Sequence, residues 1–450
     1  MKNILYILLI SIFIFSCASP KKESAVLWSQ KMVESHGLRD FYCNRHFQGK
    51  LDTTGWDYVS GLVALSVLKA WEQYPEKMEY YQSVKQFADN CINEDGTSII
   101  SKNGKSALRP SNIDDLPAGR VFFTLYKHEI SKGNKKDAAR YKNALDLIRN
   151  TLKFNHSRIG DSLPGAGGFF HKAIYPNQMW LDGLYMGSPV YAEWESTFGK
   201  DDKLEYLSSW DDIVLQFKTI HQKTYNKDVQ LNYHAWSALP TDSNSFWSNL
   251  QEPYLGCSKE FWARGMGWYF AALVDVLEYM PNDHKDYDYM KEITNQVAAG
   301  LKRWQDNETG LWYQLLQYDS SVHADGVGDI INGVAHNVGD ASNYLESSAS
   351  SIFTYAFFKG VRLGVLNQSE YLPVAKKAYQ GLLDNFIVAK DDKIDIIQSC
   401  ASAGLGPAKD LSRTGTINYY LAGKDVGLAE NEGKSIGTFI LASLEYEKLN

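Results

Sequence analysis

Apolar residues recur at helical spacing along almost the whole chain, and this pattern restricts the possible folds more than any other feature. Leu65, Leu68 and Trp71, for example, would lie on one face of a helix near 57–74. Strand patterns are hard to find, so the sequence predicts an all-α protein of about a dozen helices. The other helical patterns, bounded by Gly, Pro, Asn or Asp turn signals, lie near 78–92, 117–131, 135–153, 177–198, 203–221, 262–280, 284–304, 344–364, 370–388, 414–422 and 433–448.

Short polar turns such as Ser131-Lys132-Gly133-Asn134 join consecutive helices and favour antiparallel neighbours. Antiparallel pairs of this number can close into a ring of inner helices wrapped by outer ones, an (α/α)6 barrel or six-hairpin toroid. The longer connections each lead from an outer helix to an inner one, so we expect them to gather at one end and to carry the function. They lie near 93–116, 154–176, 222–261, 305–343 and 389–413.

The first residues are typical of an export signal. One positive charge at Lys2 precedes an apolar run over 4–15 that is too short to span a bilayer comfortably. Cys17 directly follows the small residue Ser16, which predicts a lipoprotein signal cut before Cys17 and a lipid on that cysteine. The expected location is the cell envelope, with membrane contact through the lipid alone. An ordinary signal peptide with an incidental cysteine is the alternative.

The expected domain organisation is a signal peptide over 1–16, a lipidated N-terminus and linker over 17–45, and one catalytic domain over 46–450. No Pro/Ser-rich or low-complexity break divides the last range. A split into two domains near 230–250 is the alternative, because the segment 241–245 reads as a loop.

Composition excludes some partners and favours others. The net charge is −7 and the basic residues are scattered, which argues against nucleic acid as a partner. Aromatic residues make up 13% of the chain. Aromatic rings stack on sugars, although large cores also use them heavily. The cysteines show no CxxC pair, so buried thiols or one or two bridges are expected; they are Cys17, Cys43, Cys91, Cys257 and Cys400.

A carboxylate stands two residues after Trp180, at the start of an apolar inner helix. Burial of Asp182 among Trp, Leu and Met side chains would disfavour its charged form and raise its pKa, as a general acid requires. The alternative is that Asp182 merely caps the helix.

A second segment, FWARGMGWY over 261–269, sets Arg264 between Trp262 and Trp268 at another inner-helix start. The planar guanidinium of Arg264 suits a substrate carboxylate, and the glycines would let a ligand or another backbone approach closely. Pairing of Arg264 with a protein acid such as Glu260 is the alternative.

Two more segments carry candidate residues. His234 lies between aromatic residues and could be catalytic or a structural histidine. Asp114 and Asp115 place a second carboxylate at a helix start, where N-capping is the alternative role. Phosphate loops, HExxH or CxxC metal sites and a GxSxG elbow are missing from the sequence. We therefore expect carboxylates and a histidine to act without a cofactor.

Four stretches resemble family 105 glycoside hydrolases, the unsaturated rhamnogalacturonyl hydrolases, whose sister group is family 88. They are NQMWLDGLYMGSPVYA (177–192), FWARGMGWYFAALVDVLEYMP (261–281), LESSASSIFTYAFFKGVRLGVL (345–366) and GTFILASLEYEKL (437–449). The likeness runs from about Trp56 to the C-terminus. It implies an (α/α)6 barrel that removes a 4,5-unsaturated uronic acid from the non-reducing end of oligosaccharides, with a polysaccharide lyase acting upstream.

The resemblance also implies residue roles. Asp182 matches the catalytic acid, and Asp114 the second acidic residue, with Asp115 beside it as the alternative. The expected substrate-binding residues are Trp180, His171, His234, Trp262, Arg264 and Trp268. Rhamnogalacturonan, arabinogalactan and ulvan fragments are the expected substrates. Competing functions are glucuronyl hydrolysis of glycosaminoglycan fragments, an inverting glucanase, and a lipid-anchored glycan-binding protein without activity.

Adding EDTA is expected to leave the hydrolase active, because the sequence shows no plausible cluster of metal ligands. The measurement is the initial rate before and after chelation. Loss of activity that a divalent ion restores would contradict this prediction.

Overall fold

Helices form most of the structure, a computed structural model that describes residues 26–38, 45–47, 50–52, 55–101, 104–331, 334–336 and 339–449. The helices are α1 (Trp28–Met32), α2 (Tyr58–Gln73), α3 (Met78–Asn90), α4 (Val121–Ser131), α5 (Lys135–Asn150), α6 (Leu181–Phe198), α7 (Lys203–Thr224), α8 (Ala263–Tyr279), α9 (Tyr287–Arg303), α10 (Ser347–Arg362), α11 (Gln368–Asn385), α12 (Ile417–Ala422) and α13 (Gly433–Glu447). The strands are short and pair only as two-stranded ribbons. They are β1 (Arg45–Phe47), β2 (Lys50–Asp52), β3 (Gln178–Trp180), β4 (Tyr225–Asn226), β5 (Leu231–Asn232), β6 (Ala235–Ser237), β7 (Asp329–Ile331), β8 (Val334–His336), β9 (Ile387–Lys390), β10 (Lys393–Ile396), β11 (Ser399–Cys400) and β12 (Leu428–Ala429).

Six helices form an inner ring, in the order α2, α4, α6, α8, α10 and α13, and α13 packs against α2 to close it. The outer helices α3, α5, α7, α9 and α11 each pack on the inner helix that precedes them along the chain. Apolar faces of both layers form the main core. The predicted (α/α)6 barrel is confirmed.

The sixth outer position differs from the prediction. The pattern near 414–422 yields only α12, a helix of six residues within a long connection. Instead α1, followed by a π-helical turn over Val33–Gly37, packs on α13. Met32 and Val33 are buried there, and the Ser29 hydroxyl donates to Glu447 at 2.6 Å. This stretch lies inside the predicted linker, and its helix is too short for periodicity to show it.

The inner helices begin at the same end of the barrel, and acidic side chains cap several of them. Asp57 accepts hydrogen bonds from the backbone of Val59 and Ser60 at 2.8 and 2.9 Å. Glu346 caps α10, and Glu432 caps α13. Such caps satisfy backbone N–H groups that lack a partner in the first helical turn. The cap positions therefore bring acidic side chains to the end where the outer-to-inner connections meet.

The start of α6 is built differently. The sequence predicts a helix from about 177, but residues 178–180 form β3, which pairs antiparallel with β6. Trp180 faces Ala235 in this pairing, and the backbone N–H of Leu181 donates to the carbonyl of His234 at 2.9 Å. The ribbon therefore holds His234 beside the first turn of α6.

Ionised side chains are buried at the opposite end of the barrel. Asp275 of α8 accepts hydrogen bonds from Arg120, Lys359 and Tyr355, each at 2.7 Å. All four side chains are almost fully buried. Charged groups survive there because they are paired and hydrogen-bonded.

Three cysteines are described, and each is a buried free thiol: Cys91, Cys257 and Cys400. Cys17, its predicted lipid and the predicted signal over 1–16 lie outside the described residues. Within the described ranges, every helix is too short or too polar to cross a membrane.

Candidate active site

A cleft of about 410 Å³ opens at the end of the barrel where the inner helices begin. Its walls come from the first turns of α2, α6 and α13 and from the connections that precede α4, α6 and α12. The lining residues are Asp57, Tyr58, Val59, Arg109, Asp114, His171, Lys172, Tyr175, Trp180, Asp182, Met186, Ala401, Ser402, Ala403, Gly404, Arg413 and Lys434.

Asp182 lies in the first turn of α6 and faces the cleft. The N-cap position is Trp180, and no side chain caps this helix, so capping does not explain the carboxylate. Oδ2 of Asp182 lies 2.9 Å from Nε2 of His234. His234 is fully buried, and its Nδ1 lies 2.6 Å from the Tyr420 hydroxyl. A hydrogen-bonded chain thus runs from the protein interior to Asp182.

The electrostatic environment of Asp182 differs from the prediction. Burial by itself would raise the pKa of Asp182, but His234, and then His171, outweigh burial and hold the pKa below its ordinary value. The prediction of a raised pKa was therefore wrong for the protein without substrate. The sequence neighbours Trp180 and Leu181 indicated burial, whereas His234 comes from 52 residues away.

The structure separates the roles of Asp114 and Asp115. Asp115 is buried and accepts a hydrogen bond from the backbone N–H of Arg109 at 2.8 Å. It accepts two more from the guanidinium of Arg109, at 2.5 and 3.0 Å. It therefore anchors the loop. Asp114 lines the cleft, with Oδ2 2.5 Å from the Lys172 ammonium and Oδ1 3.7 Å from Nε2 of His171. Of the two, Asp114 is the carboxylate placed to meet a ligand.

His171 and Trp180 form one wall of the cleft. Their rings stack, with centroids 4.4 Å apart and planes 13° apart. Burial lowers the pKa of His171 to about 4, so its ring is neutral near pH 7. His171 Nδ1 and Asp114 Oδ1 are buried and lack a hydrogen-bond partner among the described residues. Two unsatisfied polar atoms at one cleft are suited to the hydroxyl groups of a ligand.

Gly265 keeps the space around Asp182 and His234 open. A Cβ atom at this position would lie 3.1 Å from the His234 ring and 3.6 Å from Oδ2 of Asp182. The expected close approach therefore involves protein side chains. A Cβ at Gly267 would instead contact Ile352 at 3.1 Å, so that glycine serves the packing of α8 on α10.

Besides His234, three predicted site residues lie beneath the cleft instead of lining it. Trp262 packs on His234, with ring centroids 4.7 Å apart, and Trp268 packs on Tyr185 at 4.7 Å. Arg264 is 2% exposed, and its guanidinium donates to the Cys400 carbonyl and to the Ser348 hydroxyl. Glu260, the acid suggested as its partner, instead accepts from Gln317 at 2.7 Å.

None of the four positive side chains that line the cleft was predicted from the sequence. Each is paired with an acid at 2.5 or 2.6 Å; the pairs are Arg109–Asp115, Lys172–Asp114, Arg413–Asp425 and Lys434–Glu432. Lys172 could have been predicted, because it directly follows His171, which was a predicted site residue. Arg413 carried no such signal, because it lies in a connection without periodicity. These four cations can donate hydrogen bonds to a ligand carboxylate, but because each is paired with a protein acid they give the cleft no net positive charge.

The same cleft can hold and move protons. It contains a carboxylate hydrogen-bonded to a histidine, a second carboxylate, and a stacked wall of aromatic rings. Within the described part of the chain, no group of three or more His, Cys, Asp or Glu side chains is arranged to hold a metal ion.

Comparison with known proteins identifies relatives over nearly the whole chain. The model described as Glycosyl Hydrolase Family 88 matches residues 40–339 and 332–450. A family 105 glycoside hydrolase from C. acetobutylicum is 34% identical, with a TM-score of 0.76, covering 94% of this chain and 100% of its own.

Two curated proteins are also similar. Protein Atu3128 of Agrobacterium fabrum is 29% identical over 264 residues, which are 58% of this chain and 97% of that protein. The unsaturated 3S-rhamnoglycuronyl hydrolase of Formosa agariphila is 26% identical over 254 residues, 55% of this chain and 57% of that enzyme. The chain therefore belongs to the related glycoside hydrolase families 88 and 105 and is a glycoside hydrolase.

Proposed function

We propose that the protein removes a 4,5-unsaturated uronic acid from the non-reducing end of oligosaccharides released by polysaccharide lyases. The observation that carries this proposal is the placement of Asp182, a hydrogen-bonded acid on the wall of a cleft that also contains four cations. The name of the similar Formosa enzyme, an unsaturated 3S-rhamnoglycuronyl hydrolase, supports the same substrate class.

The chemistry requires one well-placed acid. The unsaturated ring is a vinyl ether, and a proton delivered by Asp182 to carbon 4 leaves an oxocarbenium ion at carbon 5. Asp182, now ionised, accepts a proton from a water molecule that adds to carbon 5. The resulting hemiketal opens and the aglycone leaves. Ordinary glycosidases need two carboxylates that bracket the glycosidic bond, whereas this route does not.

Substrate binding is expected to promote protonation of Asp182. Asp182 has a low pKa in the free protein, so it must gain a proton before it can donate one. A uronate carboxylate that enters the cleft adds a negative charge and excludes water, and both effects disfavour the ionised form of Asp182. Binding of an anionic sugar therefore raises the pKa of this carboxyl toward the range that a general acid needs.

A panel of lyase digests tests the proposal, with loss of the ultraviolet absorbance of the C=C bond as the readout for the unsaturated digests and release of reducing ends as the readout for a saturated oligosaccharide. The panel contains digests of rhamnogalacturonan, arabinogalactan, ulvan and a glycosaminoglycan, beside a saturated oligosaccharide. We expect turnover of rhamnose-linked unsaturated uronates and none of the saturated sugar. Binding without turnover on every digest would support a binding protein, and hydrolysis of the saturated sugar alone would support a glucanase.

Replacing Arg264 by Lys is expected to lower the melting temperature and leave KM unchanged. The sequence pattern favoured a role of Arg264 in substrate binding, and in that case the Lys variant would have a raised KM instead. The buried guanidinium donates to Cys400 and Ser348, and a single ammonium cannot reproduce that fork. Unsatisfied buried groups cost about 1–3 kcal/mol each. Melting temperature and KM are measured on the same preparation, and a raised KM in an equally stable variant would return Arg264 to the substrate site.

A further inference from the structure

We propose that Tyr420 is a positioning residue for the reaction, because its hydroxyl sets the protonation state of His234 and thereby that of the Asp182 carboxyl. This inference rests on the proposed function. Tyr420 lies in α12, which belongs to the connection between β11 and α13 and not to the barrel wall. No role for this tyrosine was predicted from the sequence.

The geometry places three groups in line. The Tyr420 hydroxyl lies 2.6 Å from Nδ1 of His234, and Nε2 of the same ring lies 2.9 Å from Oδ2 of Asp182. Tyr420 and His234 are both fully buried, and only Asp182 reaches the cleft. Among the described residues, the Tyr420 hydroxyl has no other hydrogen-bond partner.

This arrangement favours one distribution of protons. If the phenol of Tyr420 donates to Nδ1, the neutral ring of His234 keeps its proton on Nε2 and donates it to Asp182. If His234 carries both protons, its Nδ1–H points at the phenol oxygen, and the phenol proton is buried without an acceptor. Buried donors without an acceptor are strongly disfavoured. Burial also raises the pKa of Tyr420 far above its usual range, so the phenol keeps its proton.

A neutral His234 is what a general acid at Asp182 requires. An imidazolium 2.9 Å from the carboxylate would stabilise its ionised form and lower its pKa strongly. A neutral ring donates one hydrogen bond and leaves the carboxyl easier to protonate when an anionic substrate binds. The Tyr420 hydroxyl thus limits how far His234 lowers the pKa of Asp182.

In the part of the chain that the structure describes, Tyr420 is the one hydrogen-bond partner of Nδ1 of His234. His171 is neutral near pH 7 because burial lowers its pKa to about 4. Arg264 faces the Trp262 ring at 4.9 Å, so that ring lies against both the guanidinium and His234. Electrostatic interactions join Tyr420 to Tyr419, Asp182, Glu260 and Cys400 and join His234 to His171, while Arg264 lies against the Trp262 ring.

The kinetic experiment compares pH profiles of the wild type and Tyr420→Phe on an unsaturated uronide. Without the hydroxyl, Nδ1 can take up a proton with no competing donor, and the resulting imidazolium lowers the pKa of Asp182. We expect the alkaline limb of the kcat profile to move down by about one pH unit, which is a tenfold loss of kcat on that side. KM should stay within about twofold. Tyr379→Phe is the matched control. It also removes a buried hydroxyl, but Tyr379 lies on the outer helix α11, where its hydroxyl donates a hydrogen bond to Ser443 at 3.0 Å.

A uniform loss of kcat at every pH, or a lower melting temperature with an unchanged profile, would mean that Tyr420 only packs, and would overturn the proposal.

A second readout does not depend on activity. Nitrogen chemical shifts of labelled histidine, assigned with His234→Gln, should show a neutral ring protonated on Nε2 at pH 7 in the wild type. An imidazolium or a ring protonated on Nδ1 would refute the inference, even if the proposed function fails because no unsaturated uronide is consumed.

Discussion

Replacing Asp182 by Asn is expected to lower kcat by about 10²–10⁴-fold, because the variant can neither donate the proton to carbon 4 nor accept one from water. The amide oxygen can still accept a hydrogen bond from Nε2 of His234, now 2.9 Å from the carboxylate. The fold should therefore be retained. Steady-state rates on the preferred unsaturated uronide, with circular dichroism of the same samples, provide the measurement.

Asp384→Asn is the matched control for this prediction. Asp384 is exposed on the outer helix α11, where it accepts a hydrogen bond from Gln380, so the same change of charge there should leave kcat unaltered. Activity of the Asp182 variant within a few-fold of the wild type would remove Asp182 from the role of proton donor. Asp114 would then be the next carboxylate to test, since it lines the same cleft.

Replacing Asp275 by Asn is expected to destabilise the fold by about 3–5 kcal/mol, a fall of the melting temperature on the order of 10 °C. The change leaves the buried cations Arg120 and Lys359 without the carboxylate that both contact at 2.7 Å. Glu278 continues to pair with Lys359, but Arg120 has no second carboxylate at salt-bridge distance among the described residues. Urea and thermal unfolding give the measurement.

The pH dependence of this loss has a defined sign. Burial opposes ionisation of Asp275, but Lys359 and Arg120 outweigh it and hold its pKa below the ordinary value. The carboxylate therefore stabilises the fold above the unfolded-state pKa of about 3.9, and this contribution falls as the pH drops toward the folded-state pKa. The difference between wild type and variant should be largest near neutral pH and shrink in acid.

Glu370→Gln is the control for the buried network. Its partner Lys302 lies 2.9 Å away, and both side chains are more than 40% exposed. Exposed pairs contribute about 0–1 kcal/mol, so this variant should melt within a few degrees of the wild type. Equal losses of stability at both positions would show that burial does not increase the contribution of the Asp275 ion pairs to stability.

Local patterns in the sequence were sufficient for the fold class. Eleven barrel helices were predicted close to their observed bounds, because an amphipathic helix must repeat its apolar residues at helical spacing. The outer-to-inner connections also met at one end as expected, since alternating helix directions require it. Helix α1 was missed because its five residues are too few for a periodic signal.

The sequence by itself determined the barrel class and the position of the Asp182 carboxylate at the start of an inner helix. Only the tertiary structure decided which side chains reach the cleft. Trp262, Arg264 and Trp268 share a specific sequence pattern yet are buried, whereas Arg413 lines the cleft although it comes from a connection without periodicity. Periodicity reports that a face is apolar or polar, but it carries no information on residues distant in sequence. The pairing of His234 with Asp182 depends on the β3–β6 ribbon, and it is the largest cause that lowers the pKa of Asp182.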